Sequence, residues 1–113
     1  MAQWTLYASV VSNQYPPTAL TGNSVTLSGQ SYGNGTYLTN SSSFYVTTPN
    51  NYAFYAFDKV INGATINIWA SATAGYNTTS GAYTANTYSN VVNGVTVLGE
   101  WLDIILPQPI LLT

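Results

Sequence analysis

Glu100-Trp101-Leu102-Asp103-Ile104-Ile105-Leu106 is the stretch that decides the fold class. In an extended chain Leu102, Ile104 and Leu106 share one face, and Trp101, Asp103 and Ile105 share the other. The run is apolar and β-branched, and Pro107 and Pro109 end it. That pattern predicts a strand. Beyond the prolines Ile110-Leu111-Leu112 opens another apolar segment. Its backbone groups need hydrogen-bond partners and its side chains need cover. The expectation is a sheet finished by another subunit or by a longer product.

The same grammar recurs upstream. Trp4 to Val10 alternates, with Trp4, Leu6, Ala8 and Val10 on one face, and Pro16-Pro17 closes the segment. Val25-Thr26-Leu27 predicts a short strand. Tyr32-Gly33-Asn34-Gly35 predicts a turn, Thr36-Tyr37-Leu38 a strand, Asn40 to Ser43 a turn, and Phe44-Tyr45-Val46 a further strand. Tyr52-Ala53-Phe54-Tyr55-Ala56-Phe57 lacks β-branched residues and predicts one helical turn that plants aromatic rings in the core. Asp58 to Asn67 is a loop leading to Trp69. Residues 72 to 94 form a Tyr/Thr/Asn/Gly-rich excursion with a brief strand at Tyr83-Thr84. No linker divides the chain, so residues 1–113 form one domain, with 1–20 as an N-terminal strand and Pro-containing arm. The fold class is all-β.

Composition narrows the function classes. Among 113 residues there are one Lys, three acidic residues, no His and no Cys. A single cation cannot neutralise several phosphates, which excludes ordinary nucleic-acid binding. Without His, Cys or Arg the usual nucleophile–base pairs are missing, and the chain reads as non-enzymatic. Glu100 and Asp103 point to opposite faces of a strand and cannot flank one substrate. No apolar run approaches a membrane span, and Met1-Ala2-Gln3-Trp4 carries no basic region of a secretory signal. A neutral surface with ten Tyr, three Trp and three Phe favours association.

Several residues are candidates for binding. Only an all-oxygen metal site can be built, so calcium at Asp58 is the candidate, with loop carbonyls and Asn62 or Asn67 as further oxygens. The alternative is that Asp58 caps its own turn. Otherwise no cofactor is expected. Tyr76, Tyr83 and Tyr88 lie in polar loops and could stack on sugar rings, or pack between loops or subunits. Asn34, Asn40 and Asn77 each begin an Asn-X-Ser/Thr triplet, read as a marker of an exposed loop. Trp69, Trp101 and Phe57 are assigned to the core, with Glu100 or Asp103 as acceptor for an indole N–H.

Tyr55-Ala56-Phe57-Asp58, Trp69-Ala70-Ser71, Gly81-Ala82-Tyr83 and Gly99 to Pro107 follow one another in an order that resembles a discoidin-like (coagulation factor 5/8 type C) domain. The opening Leu27-Ser28-Gly29 and Tyr32-Gly33-Asn34-Gly35-Thr36-Tyr37 is similar to the Tyr/Ser/Thr-rich versions in virion proteins of large DNA viruses. The resemblance covers residues 21–113 and only the N-terminal half of the family domain. It implies a jelly-roll-like β-sandwich, here incomplete and finished by neighbouring chains or a C-terminal half. It also implies a virion location, as a minor capsid or capsid-associated protein whose partners are other capsid proteins or copies of itself. A carbohydrate-binding attachment module and a self-assembling extracellular fibre subunit are the alternatives. Family members carry Gly after the Asp of the Phe-Asp element. Here it is Lys59, which implies a rebuilt turn.

Overall fold

The structure is a computed structural model and describes residues 12–45, 51–61, 67–73 and 75–112. The expected strand at Trp4–Val10 lies outside the described residues, as does Val46; Phe44 and Tyr45, expected to begin a strand with it, are not in one.

Among the described residues, five short strands and one 3-10 turn make up the regular structure: β1 (Ser24–Leu27), β2 (Gly35–Ser41), the 3-10 turn (Ala53–Ala56), β3 (Ser89–Val92), β4 (Val95–Leu98) and β5 (Leu102–Ile105). The protein is therefore nearly all β. Strands β1, β2 and β5 form an antiparallel sheet in that order, and β3 with β4 forms a separate two-stranded sheet. Residues 40 and 41, expected in a turn, continue β2. Asn40 pairs in register with Asp103, and Ser41 with Leu102. Pairing with β5 supplies the ladder that the local sequence does not announce.

Strand β2 sets the two faces. Tyr37 and Thr39 are buried while Leu38 and Asn40 are exposed, the period of two that a half-covered sheet requires. Register places Val25 beside Tyr37 and Ile104 beside Thr39 on the covered face. On the other face Thr26 and Thr36 pair across the strands, their hydroxyls 2.8 Å apart, and Leu38 lies opposite Ile105.

The 3-10 turn packs against β2. Asn23 fixes it there. Its Oδ1 accepts from the Thr39 hydroxyl at 3.0 Å and from the Phe54 N–H at 3.2 Å. Leu20 N–H donates to the Phe57 carbonyl at 3.2 Å, bringing the segment after Pro17 over the same face. The buried apolar side chains among the described residues are Pro16, Leu20, Tyr37 and Ala53. The aromatic turn thus buries its alanine, while Phe54, Tyr55 and Phe57 are half-buried. Trp69 and Trp101 are half-buried too. Among the described residues the polar Thr39, Ser43 and Asn51 are buried as well. Thr39 is satisfied by Asn23, and Asn51 Nδ2 donates to the Ile68 carbonyl at 2.9 Å.

The chain exposes 8384 Å², against roughly 6,000 Å² for a compact monomer of this mass. Its radius of gyration is 18.7 Å, where about 13 Å is usual for this length.

Candidate functional site

Tyr76, Tyr83 and Tyr88 come together. Tyr76 and Tyr83 form an isolated antiparallel bridge, and their ring centroids are 5.0 Å apart. The loop between them is a tight turn built by Asn77. Its Oδ1 accepts from the N–H groups of Thr79 and Ser80, both at 2.9 Å, and its backbone bonds Ala82 and Gly81. This is Asx-turn chemistry, and Gly81 supplies the positive φ of 72°. Tyr83 Oη accepts from the Tyr88 N–H at 3.0 Å, and Tyr76 Oη accepts from the Glu100 N–H at 3.1 Å. Close approach requires Gly75, where a Cβ would lie 2.8 Å from the Tyr83 ring. The phenols therefore organise backbone, and Tyr76 still leaves 45% of its surface to solvent.

Glu100 ties this cluster to the sheet. Its Oε2 accepts from the hydroxyls of Ser42 at 2.5 Å and Ser43 at 2.6 Å. Ser42 Oγ in turn accepts from the Trp101 N–H, and Ser43 Oγ from the Ala72 N–H, each at 2.9 Å. Trp69 Nε1 donates to the Ser43 carbonyl at 3.3 Å. The acceptor for this indole is thus a backbone oxygen, and the Glu100 carboxylate serves two serines instead. Asp103 lies opposite Asn40 on the less covered face. Its Oδ1 is buried and takes no hydrogen bond.

Asp58 caps its own turn. Its Oδ1 accepts from the Val60 N–H at 2.9 Å. Among the described residues no group of three or more acidic, His or Cys side chains gathers to hold a metal. Asn67, named as a further oxygen, has φ of 57°; Asn62 lies outside the described residues. Lys59 adopts φ of 60°, so the turn retains left-handed geometry with Lys in the place that favours Gly. Its Nζ donates to Gln14 Oε1 at 3.0 Å and the Pro17 carbonyl at 2.9 Å. Of the sequon asparagines, Asn34 and Asn77 are in loops, whereas Asn40 is an exposed strand residue.

The sequence reading passed over β3 and β4. Both strands are exposed along their whole length, with Val91, Val92, Val95, Val97 and Leu98 each at least half exposed. Asn93 and Gly94, with φ of 51° and 79°, form the two-residue turn that matches strand twist. The Gly99 N–H donates to the Tyr88 carbonyl at 3.0 Å and closes the open end of the hairpin. The signal was Asn-Gly between two valines, hidden in a stretch read for its polarity. A groove between hairpin and cluster is lined by Tyr76, Val92, Val97, Leu98 and Trp101.

No family model matches the chain, and neither a curated protein nor a solved structure is similar enough to match it. Among the described residues no helix is long and apolar enough to cross a membrane.

Proposed function

We propose that this chain is a non-enzymatic structural module of a virion, a minor capsid or capsid-associated protein held in place by apolar and Tyr-rich contacts. The observation that carries the contact chemistry is the imbalance between core and surface. The described residues bury four apolar side chains, while the hairpin valines, Ile105, Leu111 and Leu112 stand in solvent. With four formal charges in the whole sequence, that surface has little electrostatic means of staying apart from neighbours. The virion location comes from the discoidin-like resemblance, as does the jelly-roll-like sandwich that neighbouring chains or a C-terminal half would finish.

Particles purified from an infected culture that expresses the chain test this reading. The chain should be abundant in their proteome, survive washing in high salt, and leave only with denaturant, because buried apolar contact is not screened. Absence from purified particles, or release by moderate NaCl alone, overturns it. A carbohydrate-binding role is the second reading, favoured by the exposed Tyr76 ring braced on Tyr83. Glycan-array binding lost in Tyr76→Ala would support it over the first. The fibre-subunit alternative predicts long polymers from the purified chain alone.

A further inference from the structure

We propose that β4 pairs through its outer edge, antiparallel and about a two-fold axis, with β4 of a second copy of this chain. The inference deepens the assembly reading above and rests on it only for the contact chemistry. In a two-residue hairpin the residues flanking the turn form a hydrogen-bonded pair, and pairs then alternate. The register Val92↔Val95, Val91↔Thr96, Asn90↔Val97 and Ser89↔Leu98 therefore turns the backbone groups of Ser89 and Val91 outward on β3. It turns those of Thr96 and Leu98 outward on β4.

The two edges differ. On β3 the outward Val91 N–H is already taken by Asn90 Oδ1 at 2.8 Å. On β4 no side chain of the described residues caps the outward backbone groups of Thr96 or Leu98 in this way. Natural sheets protect such an edge with a charge, a proline or a bulge. Val95-Thr96-Val97-Leu98 has no charge and no proline, and its register with β3 is regular.

A second copy is the occupant that the chemistry favours. An uncharged strand meets its own copy with no Coulomb penalty, and any strand can pair antiparallel with itself about a two-fold axis, which closes the contact. Pairing would join Val92, Val95 and Val97 of both copies on one continuous apolar face. An isolated two-stranded hairpin is marginal in water, and a four-stranded sheet is not.

Sedimentation of the intact chain from micromolar to millimolar concentration tests the pairing. The wild-type mass should rise from 12.1 kDa toward twice that value. Thr96→Pro removes only an outward donor, which an edge strand tolerates. It should remain monomeric with the cross-strand proton contacts of Val92 and Val95 intact. Should Thr96→Pro lose the hairpin, Thr96→Lys puts a charge on the same edge and carries the same expectation. Asn90→Ala uncaps the β3 edge, and its assemblies should grow past the dimer. A wild-type chain that stays monomeric, or binds only an unrelated protein, overturns the proposal. So does a hairpin-intact edge variant that associates like wild type. Such a failure leaves the particle-proteome result untouched, so the two readings fail separately.

Discussion

Tyr37→Phe removes one hydroxyl from the deepest side chain of the sheet. Tyr37 is 0% exposed, and its Oη donates to the Gly33 carbonyl at 2.7 Å. That bond ties β2 to the turn preceding it, in a space so tight that a Cβ on Gly33 would stand 2.8 Å from the hydroxyl. Phe keeps the ring and its packing. What is lost is a net hydrogen bond of about 1 kcal/mol, rising to about 2 if the Gly33 carbonyl is left without a partner. An unfolding entropy of about 2.1 cal/mol/K per residue gives about 240 cal/mol/K for the chain, so the melting temperature should fall by about 4–8 °C. Alkaline pH supplies a second readout. Burial pushes the Tyr37 phenol above its ordinary 10.0, with the charges of Tyr15 and Tyr32 adding to the effect. The native state then holds this proton more tightly than the unfolded chain does. Its stabilisation is fully present below pH 10 and is lost as pH rises from there through the folded value. The phenylalanine variant has no such proton, so the gap between it and wild type should narrow in alkali. Calorimetry at neutral pH and near pH 11 reads both effects. A variant melting within about 1 °C of wild type, or a gap that does not change with pH, would refute the reasoning.

Four further outcomes are expected. Gly35→Ala should cost more than about 2 kcal/mol, because φ is +122° and the new Cβ would lie 2.5 Å from Pro107 Cβ; an unchanged denaturation midpoint would count against the contact. Ser43→Ala removes the hydroxyl shared by Glu100 and the Ala72 N–H and should cost about 1–3 kcal/mol, with faster hydrogen exchange at Ala72 as its local signature. Lys59 in left-handed geometry carries about 1 kcal/mol of strain, and its exposed ammonium bonds are worth less. Urea titration should therefore rank the variants Lys59→Gly above wild type and Lys59→Ala below it. Since the Asp58 carboxylate already holds the Val60 N–H, millimolar calcium should shift the melting temperature by less than about 1 °C. A larger calcium shift would identify Asp58 as a ligand.

Legibility in the sequence followed the range of the interaction. Strands β1 and β5 could be read because alternation in Val25–Leu27 and Leu102–Leu106 is a property of neighbouring residues. The helical turn after Tyr52 could be read for the same reason. The hairpin at residues 89–98 was legible in principle, since Asn93-Gly94 carries its own turn geometry, but Thr and Asn around it masked the alternation.

Other features belong to contacts far apart in the chain. Asn40 and Ser41 become strand only because β5 pairs with them. Glu100 meets Ser42 and Ser43 across nearly sixty residues, and Tyr76 reaches the Glu100 backbone across twenty-four. The large indoles of Trp69 and Trp101 are natural core candidates by size, yet the deepest places go to Leu20, Tyr37 and Ala53. Burial depends on where the covering segments lie, and a short, half-covered sheet has room for few. By itself, then, the sequence determined an all-β chain with almost no charge, because backbone preference and composition are local quantities. The tertiary structure alone decided which rings are covered and which carboxylate is satisfied, because each depends on residues brought together from distant parts of the chain.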